Sequence, residues 1–295
     1  MMWPGFGSRP GRRWKFGESR SRPMRRRRRE RMGDEVSSMV VRCEERADGA
    51  VWWVEIAREE RLNAVNFEVM EALETLLDRA ERCATLRVLV VGGSGRAFAS
   101  GGDLQAFADL RTREDAEAMS GRMRRILERL EALACWTVAR VNGDAYGGGV
   151  ELMLAFDLCV VAAGAQLGLT QGRFALTPGW GGLTRLVEKV GRHRALQWLG
   201  LAAVVGAEEA QRCGLVEEVV PNEALDARVM ALAESFLESD PAVWRALKVG
   251  AGRAARQERE RAMAGEFEAF CDLWAAEAHW ERVERFMARK KKERV

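Results

Sequence analysis

The chain has 295 residues, 47% of them apolar and 31% charged, with a net charge of +3. That composition supports a substantial core, and no stretch approaches the roughly 18 uninterrupted apolar residues of a membrane span. The six dispersed cysteines (Cys43, Cys83, Cys135, Cys159, Cys213, Cys271) and two distant histidines lack the paired spacing of a zinc site, so no metal is expected.

The charge is uneven. Residues 1–38 hold 12 Lys and Arg against 4 Asp and Glu, which leaves the remainder mildly acidic. This segment carries Pro, Gly, Ser and the run Arg25–Arg29 without apolar periodicity, and reads as a disordered extension. Three readings compete: a start codon assigned too early, with Met24, Met32 and Met39 following; a targeting peptide, which Glu18, Glu30, Asp34 and Glu35 disfavour; and an arm attracted to phosphates, for which nucleic acid is the less favoured partner. The dispersed cysteines read as reduced thiols of a cytoplasmic protein.

From Met39 onward, strands and helices alternate. Val51–Ala57 reads as a strand, Arg61–Asn66 as a turn, and residues 67–84 as an amphipathic helix capped by Asn66, with Phe67, Met70, Leu73, Leu76, Leu77 and Ala80 at spacings of three and four. Arg87–Val91 is a second strand, so the unit predicts a parallel sheet with a right-handed crossover. Residues 92–104 form a glycine-dense loop closing on Asp103, followed by a helix over roughly 114–134. Strand 137–141 leads into Asn142-Gly-Asp-Ala-Tyr-Gly-Gly-Gly-Val-Glu151, with Leu152–Phe156 read as the start of a buried helix. Further strands are expected at 157–162, 166–169 and 215–221. Residues 170–182 read as an irregular loop, and helices are expected at 183–190, 192–201, 207–213, 222–239 and 241–292, with breaks near Pro241 and Gly265. The chain thus divides into an extension (1–38), an α/β core (39–225) and a helical region (226–295).

Two glycine turns each follow a strand: Ser100-Gly-Gly-Asp103 and Gly147-Gly-Gly149. Glycine admits close approach of a bound group, and a helix N-terminus offers unpaired N–H donors. The spacing matches neither a dinucleotide fingerprint nor a P-loop. Two backbone donors at one sheet edge suit an oxyanion that forms during reaction; tight turns alone would also use these glycines.

The chain resembles the crotonase, or enoyl-CoA hydratase/isomerase, superfamily. The resemblance rests on Arg61-Leu-Asn-Ala-Val65, Ala97–Leu104, Val141–Leu152, Thr177-Pro-Gly-Trp-Gly-Gly-Leu-Thr-Arg-Leu186 and Ala207–Val216, in that order. It implies an α/β fold, a crotonase-like ββα spiral core with a C-terminal helical trimerisation region, assembled as a homotrimer or a dimer of trimers. It implies an acyl-CoA substrate, with coenzyme A part of that substrate and no separate cofactor. The thioester oxygen would lie between the N–H groups of Gly102 and Gly148. Asn63, Ala64, Ala99, Gly101, Asp103, Tyr146, Phe286 and Arg289 would line the substrate path; Phe286 packing its own helix is the competing reading.

Of the two glutamates that hydratases of the family use, the first corresponds to Glu151 and the second to Gln171. Glutamine can orient a water but cannot transfer a proton at neutral pH. Glu151 alone could act as acid or base, or could merely cap a helix. Arg173 suits a substrate carboxylate, or is an ordinary surface arginine. The Pro178–Gly182 loop resembles that of ethylmalonyl-CoA decarboxylases, which leaves decarboxylation, isomerisation and a non-catalytic CoA- or RNA-binding role as alternatives to hydration.

Overall fold

The computed structural model describes residues 40–292; the arginine-rich extension expected over residues 1–38 lies outside them. Among the described residues, ten strands form two sheets. The larger has the order β1 (Val41–Arg46), β2 (Val51–Ile56), β3 (Val88–Gly93), β5 (Trp136–Val141), β7 (Leu158–Ala162) and β10 (Glu218–Val220). Only the β1–β2 pair is antiparallel. The smaller has the order β4 (Ala97–Ala99), β6 (Asp144–Tyr146), β8 (Gln166–Gly168) and β9 (Val205–Gly206). Each long strand β3, β5 and β7 is followed within a few residues by β4, β6 and β8, so the chain winds as a spiral of paired strands with helices between turns.

Side chains alternate across a strand, and here both faces of the large sheet are covered. Trp52, Val54, Ile56, Leu89, Val91, Ala139 and Val141 face one core with α1 (Phe67–Arg82) and α2 (Arg113–Ala132). Their neighbours Val51, Trp53, Val88, Val90 and Val138 face α7 (Leu225–Leu237) through Leu225, Val229 and Ala233. The boundary drawn at 225/226 therefore falls at the start of a helix that packs on the sheet. Asn66 caps α1 as expected, its Oδ1 accepting from the Val69 N–H at 3.0 Å.

Several expected elements change. The glycine-dense segment 92–104 is not one loop, because β4 lies within it. The buried helix after the triple glycine begins at Gly148, not Leu152, and is only six residues long: α3 (Gly148–Met153). A Cβ on Gly149 would lie 2.0 Å from the Ala99 carbonyl oxygen, so the spiral turns can touch there only through glycine. The region after α3 contains α4 (Gly182–Val190), α5 (Arg192–Gly200) and α6 (Ala207–Arg212). The final helices are α8 (Pro241–Ala275) and α9 (Glu277–Lys292). Pro241 opens α8 under an Asp240 cap, whose Oδ1 accepts from the Ala242 N–H at 2.7 Å. The helix runs through Gly265 without the expected break. A helical glycine costs about 1 kcal/mol, and the buried face carrying Met263, Glu266, Phe270 and Trp274 offsets it.

Candidate active site

Parallel pairing of β4 with β6 aligns Ala97 with Asp144 and Ala99 with Ala145, which sets the two glycine turns side by side. A Cβ on Gly101 would sit 3.3 Å from the Gly148 nitrogen. On the outer side, Val65 donates to the Gly101 carbonyl (2.8 Å) and accepts from the Asp103 N–H (2.9 Å). In such a ladder, alternate amides point to opposite sides, so the Gly102 N–H is turned away from Val65. Gly148 is the first residue of α3, whose leading N–H groups have no partner within the helix. Both glycines line one cavity of about 1940 Å³.

Glu151, one turn into α3, reaches the same cavity and is otherwise buried. Its carboxylate does not cap its own helix. Oε2 accepts from the N–H groups of Trp180 (2.7 Å) and Gly182 (2.9 Å), at the start of α4. Oε1 accepts from the Gln171 side-chain amide at 2.8 Å and from the Gly179 N–H at 3.3 Å. Burial and the nearby Glu266 charge push its pKa up to about 7, against the pull of these N–H donors. Near neutral pH the group therefore populates both protonation states. Gln171 suits both: its Nε2 donates to the carboxylate, while its Oε1, buried and without a partner, could accept from a carboxylic acid after an amide flip.

Trp180 closes this corner. Its N–H is tied to Glu151 and its carbonyl accepts from Arg185 Nη1 at 2.7 Å, so both ends of the residue are held. Its indole lies against Gly148 and comes near Gly102: a Cβ on Gly148 would meet Cζ3 at 2.2 Å, and one on Gly102 would meet Cζ2 at 3.8 Å. Phe107, Met119, Phe270 and Trp274 continue the apolar lining. The wall also carries five arginines, Arg61, Arg96, Arg282, Arg285 and Arg289, against Glu59 and Glu60.

Gly101, Gly102, Asp103, Ala64, Tyr146, Gly148, Glu151, Gln171, Arg173, Phe286 and Arg289 all line the cavity. Within it, the Tyr146 hydroxyl bonds Asp144 at 3.1 Å and Arg173 donates to the Ala202 carbonyl at 3.0 Å. Phe286 packs edge-on against Phe174, with ring centroids 5.4 Å apart, while also lining the cavity. Asp103 pairs with Arg58 at 3.0 Å and accepts from the Gln105 and Ala106 N–H groups, so it shapes the turn. Asn63 and Ala99 are not brought to the cavity wall. Asn63 instead donates to the Ser94 (2.9 Å) and Ala97 (2.8 Å) carbonyls and accepts from the Arg58 N–H (3.0 Å), latching the loop to the β3–β4 corner. Among the described residues, no group of three or more His, Cys, Asp or Glu could hold a metal ion.

The enoyl-CoA hydratase/isomerase family profile matches residues 46–294. The chain belongs to this family. It is 33% identical over 180 residues to a probable enoyl-CoA hydratase of Bacillus subtilis, covering 61% of this chain and 70% of that protein. It is 30% identical over 229 residues to an ethylmalonyl-CoA decarboxylase of Bos taurus, covering 76% of this chain and 74% of that one. Among solved structures, an enoyl-CoA hydratase from Bacillus anthracis superposes with a TM-score of 0.70 at 30% identity, over 86% of this chain and 96% of that one. The crotonase-type spiral expected from the sequence is thus the observed fold.

Two functional residues are not legible as such in the sequence: Trp180, marked only as a lone large ring among four small residues, and Glu266, which arrives from a distant helix.

Proposed function

We propose that this enzyme binds an acyl-CoA thioester and passes through its enolate, with Gly102 and Gly148 as oxyanion donors and Glu151 as the single proton-transferring carboxylate. The observation that carries this reading is the 2.8 Å contact between Glu151 and Gln171 beside the two glycines: a two-carboxylate hydration would need both groups to titrate, and only one can. The arginines of the cavity wall, Arg289 included, suit the phosphates of coenzyme A, and its aromatic side chains suit an acyl group. Preorganised N–H donors contribute about 3 kcal/mol each to such an oxyanion in a well-studied case.

Decarboxylation of a 2-carboxyacyl-CoA is one reaction the site suits, because burial and the Glu266 charge let Glu151 hold a proton towards neutral pH. Breaking the bond between Cα and the carboxylate releases CO2 and sends its electron pair into the thioester, making the enolate without a base. Cα then takes a proton from protonated Glu151, which solvent restores. Glu151 acting as an acid makes turnover fall as pH rises through about 7; acting as the base of a double-bond migration, it makes turnover rise over the same range. Similarity to an ethylmalonyl-CoA decarboxylase supports the first.

Turnover of 2-enoyl-, 3-enoyl-, methylmalonyl- and ethylmalonyl-CoA, with products identified by mass, tests the assignment. Ethylmalonyl- or 3-enoyl-CoA should be the better substrate; dominant hydration of 2-enoyl-CoA would overturn it. The same proposal includes assembly as a homotrimer or dimer of trimers, supported by exposed Leu201, Val243 and Leu247, and light scattering of the eluting protein measures it.

A further inference from the structure

Two buried carboxylates meet at one helix start. Glu151 accepts from the Trp180 and Gly182 N–H groups. Glu266, from α8, accepts from the next two, Leu183 and Thr184, both at 3.0 Å, and from the Thr184 hydroxyl at 3.1 Å. The four donors lie within five consecutive residues at the start of α4, so the two acids share one stretch of backbone. Glu266 is buried and does not line the cavity.

The surrounding charges offset the pair only in part: Arg185 favours ionisation of Glu266, yet the pKa values of both acids stay raised. Arg185, from α4, is buried beside the two acids, but its Nε and Nη2 form a two-point pair with Glu131 of α2 at 2.9 and 2.8 Å. Arg259 of α8 also pairs with Glu131, and with Glu188 of α4 at 3.1 Å. Gln171, which donates to Glu151, is uncharged.

We propose that Glu266 is a positioning residue that sets the protonation state of Glu151 by placing a second negative charge on the same helix start. When Glu266 is ionised it repels a charge on Glu151 through a dry interior, where such repulsion is strong. Docking of α8 therefore both completes the cavity, through Phe270 and Trp274, and makes Glu151 hold its proton to higher pH. This rests on the reading of Glu151 as the proton carrier, but its test does not require turnover.

The full chain carrying δ-13C-glutamate is titrated by NMR, with the Glu151 resonance identified by its loss in Glu151→Gln. Glu266→Gln should lower the Glu151 midpoint by about one pH unit or more. Thr184→Val removes one donor from Glu266, which then keeps its own proton longer; the Glu151 midpoint should again move down, by less. A folded Glu266→Gln protein with an unchanged or raised midpoint overturns the proposal. If Glu266→Gln fails to fold, an unchanged midpoint in Thr184→Val does so. A helix cap with no electrical role would change stability and leave the midpoint in place. Failure of the reaction assignment would show separately, in the thioester panel.

Discussion

Replacing Gly148 by alanine tests how tightly the oxyanion corner is built. The new methyl carbon would lie 2.2, 2.5 and 2.8 Å from three carbons of the Trp180 ring, against about 3.5–4.0 Å for an ordinary carbon contact. The ring cannot simply withdraw, because the Trp180 N–H holds Glu151 and its carbonyl holds Arg185. Overpacking of this kind costs about 1–3 kcal/mol. For a chain of this size, that is a fall in Tm of roughly 2 °C or less per kcal/mol. Any relief that moves the Gly148 N–H also displaces an oxyanion donor, whose loss costs about 10²–10³ in kcat. Calorimetry and turnover are measured for Gly148→Ala, Trp180→Ala and the double variant. The double variant should be more stable than the sum of the two single changes predicts, because the added methyl then occupies vacated space. A Gly148→Ala protein with native Tm and native kcat would refute the packing argument.

Gln171→Glu restores a second titratable group at 2.8 Å from Glu151; hydration of 2-enoyl-CoA should rise from its wild-type level while decarboxylation or isomerisation falls, as the product ratio by mass will show. Asn63→Ala should lower stability by about 2–4 kcal/mol in urea unfolding, since it strands two carbonyls and an amide and leaves alanine at a φ of 56°. Glu151 also links stability to pH. Its pKa is about 7 in the folded chain against an ordinary 4.5, so between those values the native state holds a proton that the unfolded chain has released. Its contribution to stability is greatest below about 4.5, declines as pH rises to about 7 and is flat above. The stability difference between wild type and Glu151→Gln, measured by urea unfolding at pH 5 and pH 8, should shrink or reverse at the higher pH.

Much of the large sheet was legible because β2, β3, β5 and β7 are short apolar runs, and α1 and α2 were legible because their apolar residues recur every three or four positions. β1 was not: Val41-Arg-Cys-Glu-Glu-Arg46 is mostly charged, and as an edge strand it needs few apolar residues. Of the smaller sheet only β8 was legible, in the expected strand at 166–169; β4, β6 and β9 were not, because they are two or three residues long and are held by pairing across spiral turns. At the site, Gly148 and Glu151 stood in one contiguous stretch and could be read together, with Gly102 in a second glycine turn after another strand. What Glu151 touches could not be read there. Apart from Gln171, its ligands are backbone N–H groups around the start of a later helix, which no side chain announces, and the charge that perturbs it comes from Glu266 in α8. Trp180 was visible as a residue, but its position over Gly148 depends on where both ends of its backbone are tied.

The central claim is that this site forms a thioester enolate with Glu151 as its only proton carrier. Incubating butyryl-CoA in D2O and following its mass tests that claim most directly. The account predicts deuterium entering at Cα, faster as pH rises through about 7, and lost in Glu151→Gln. No exchange by the wild-type protein, or exchange unchanged by Glu151→Gln, would contradict it.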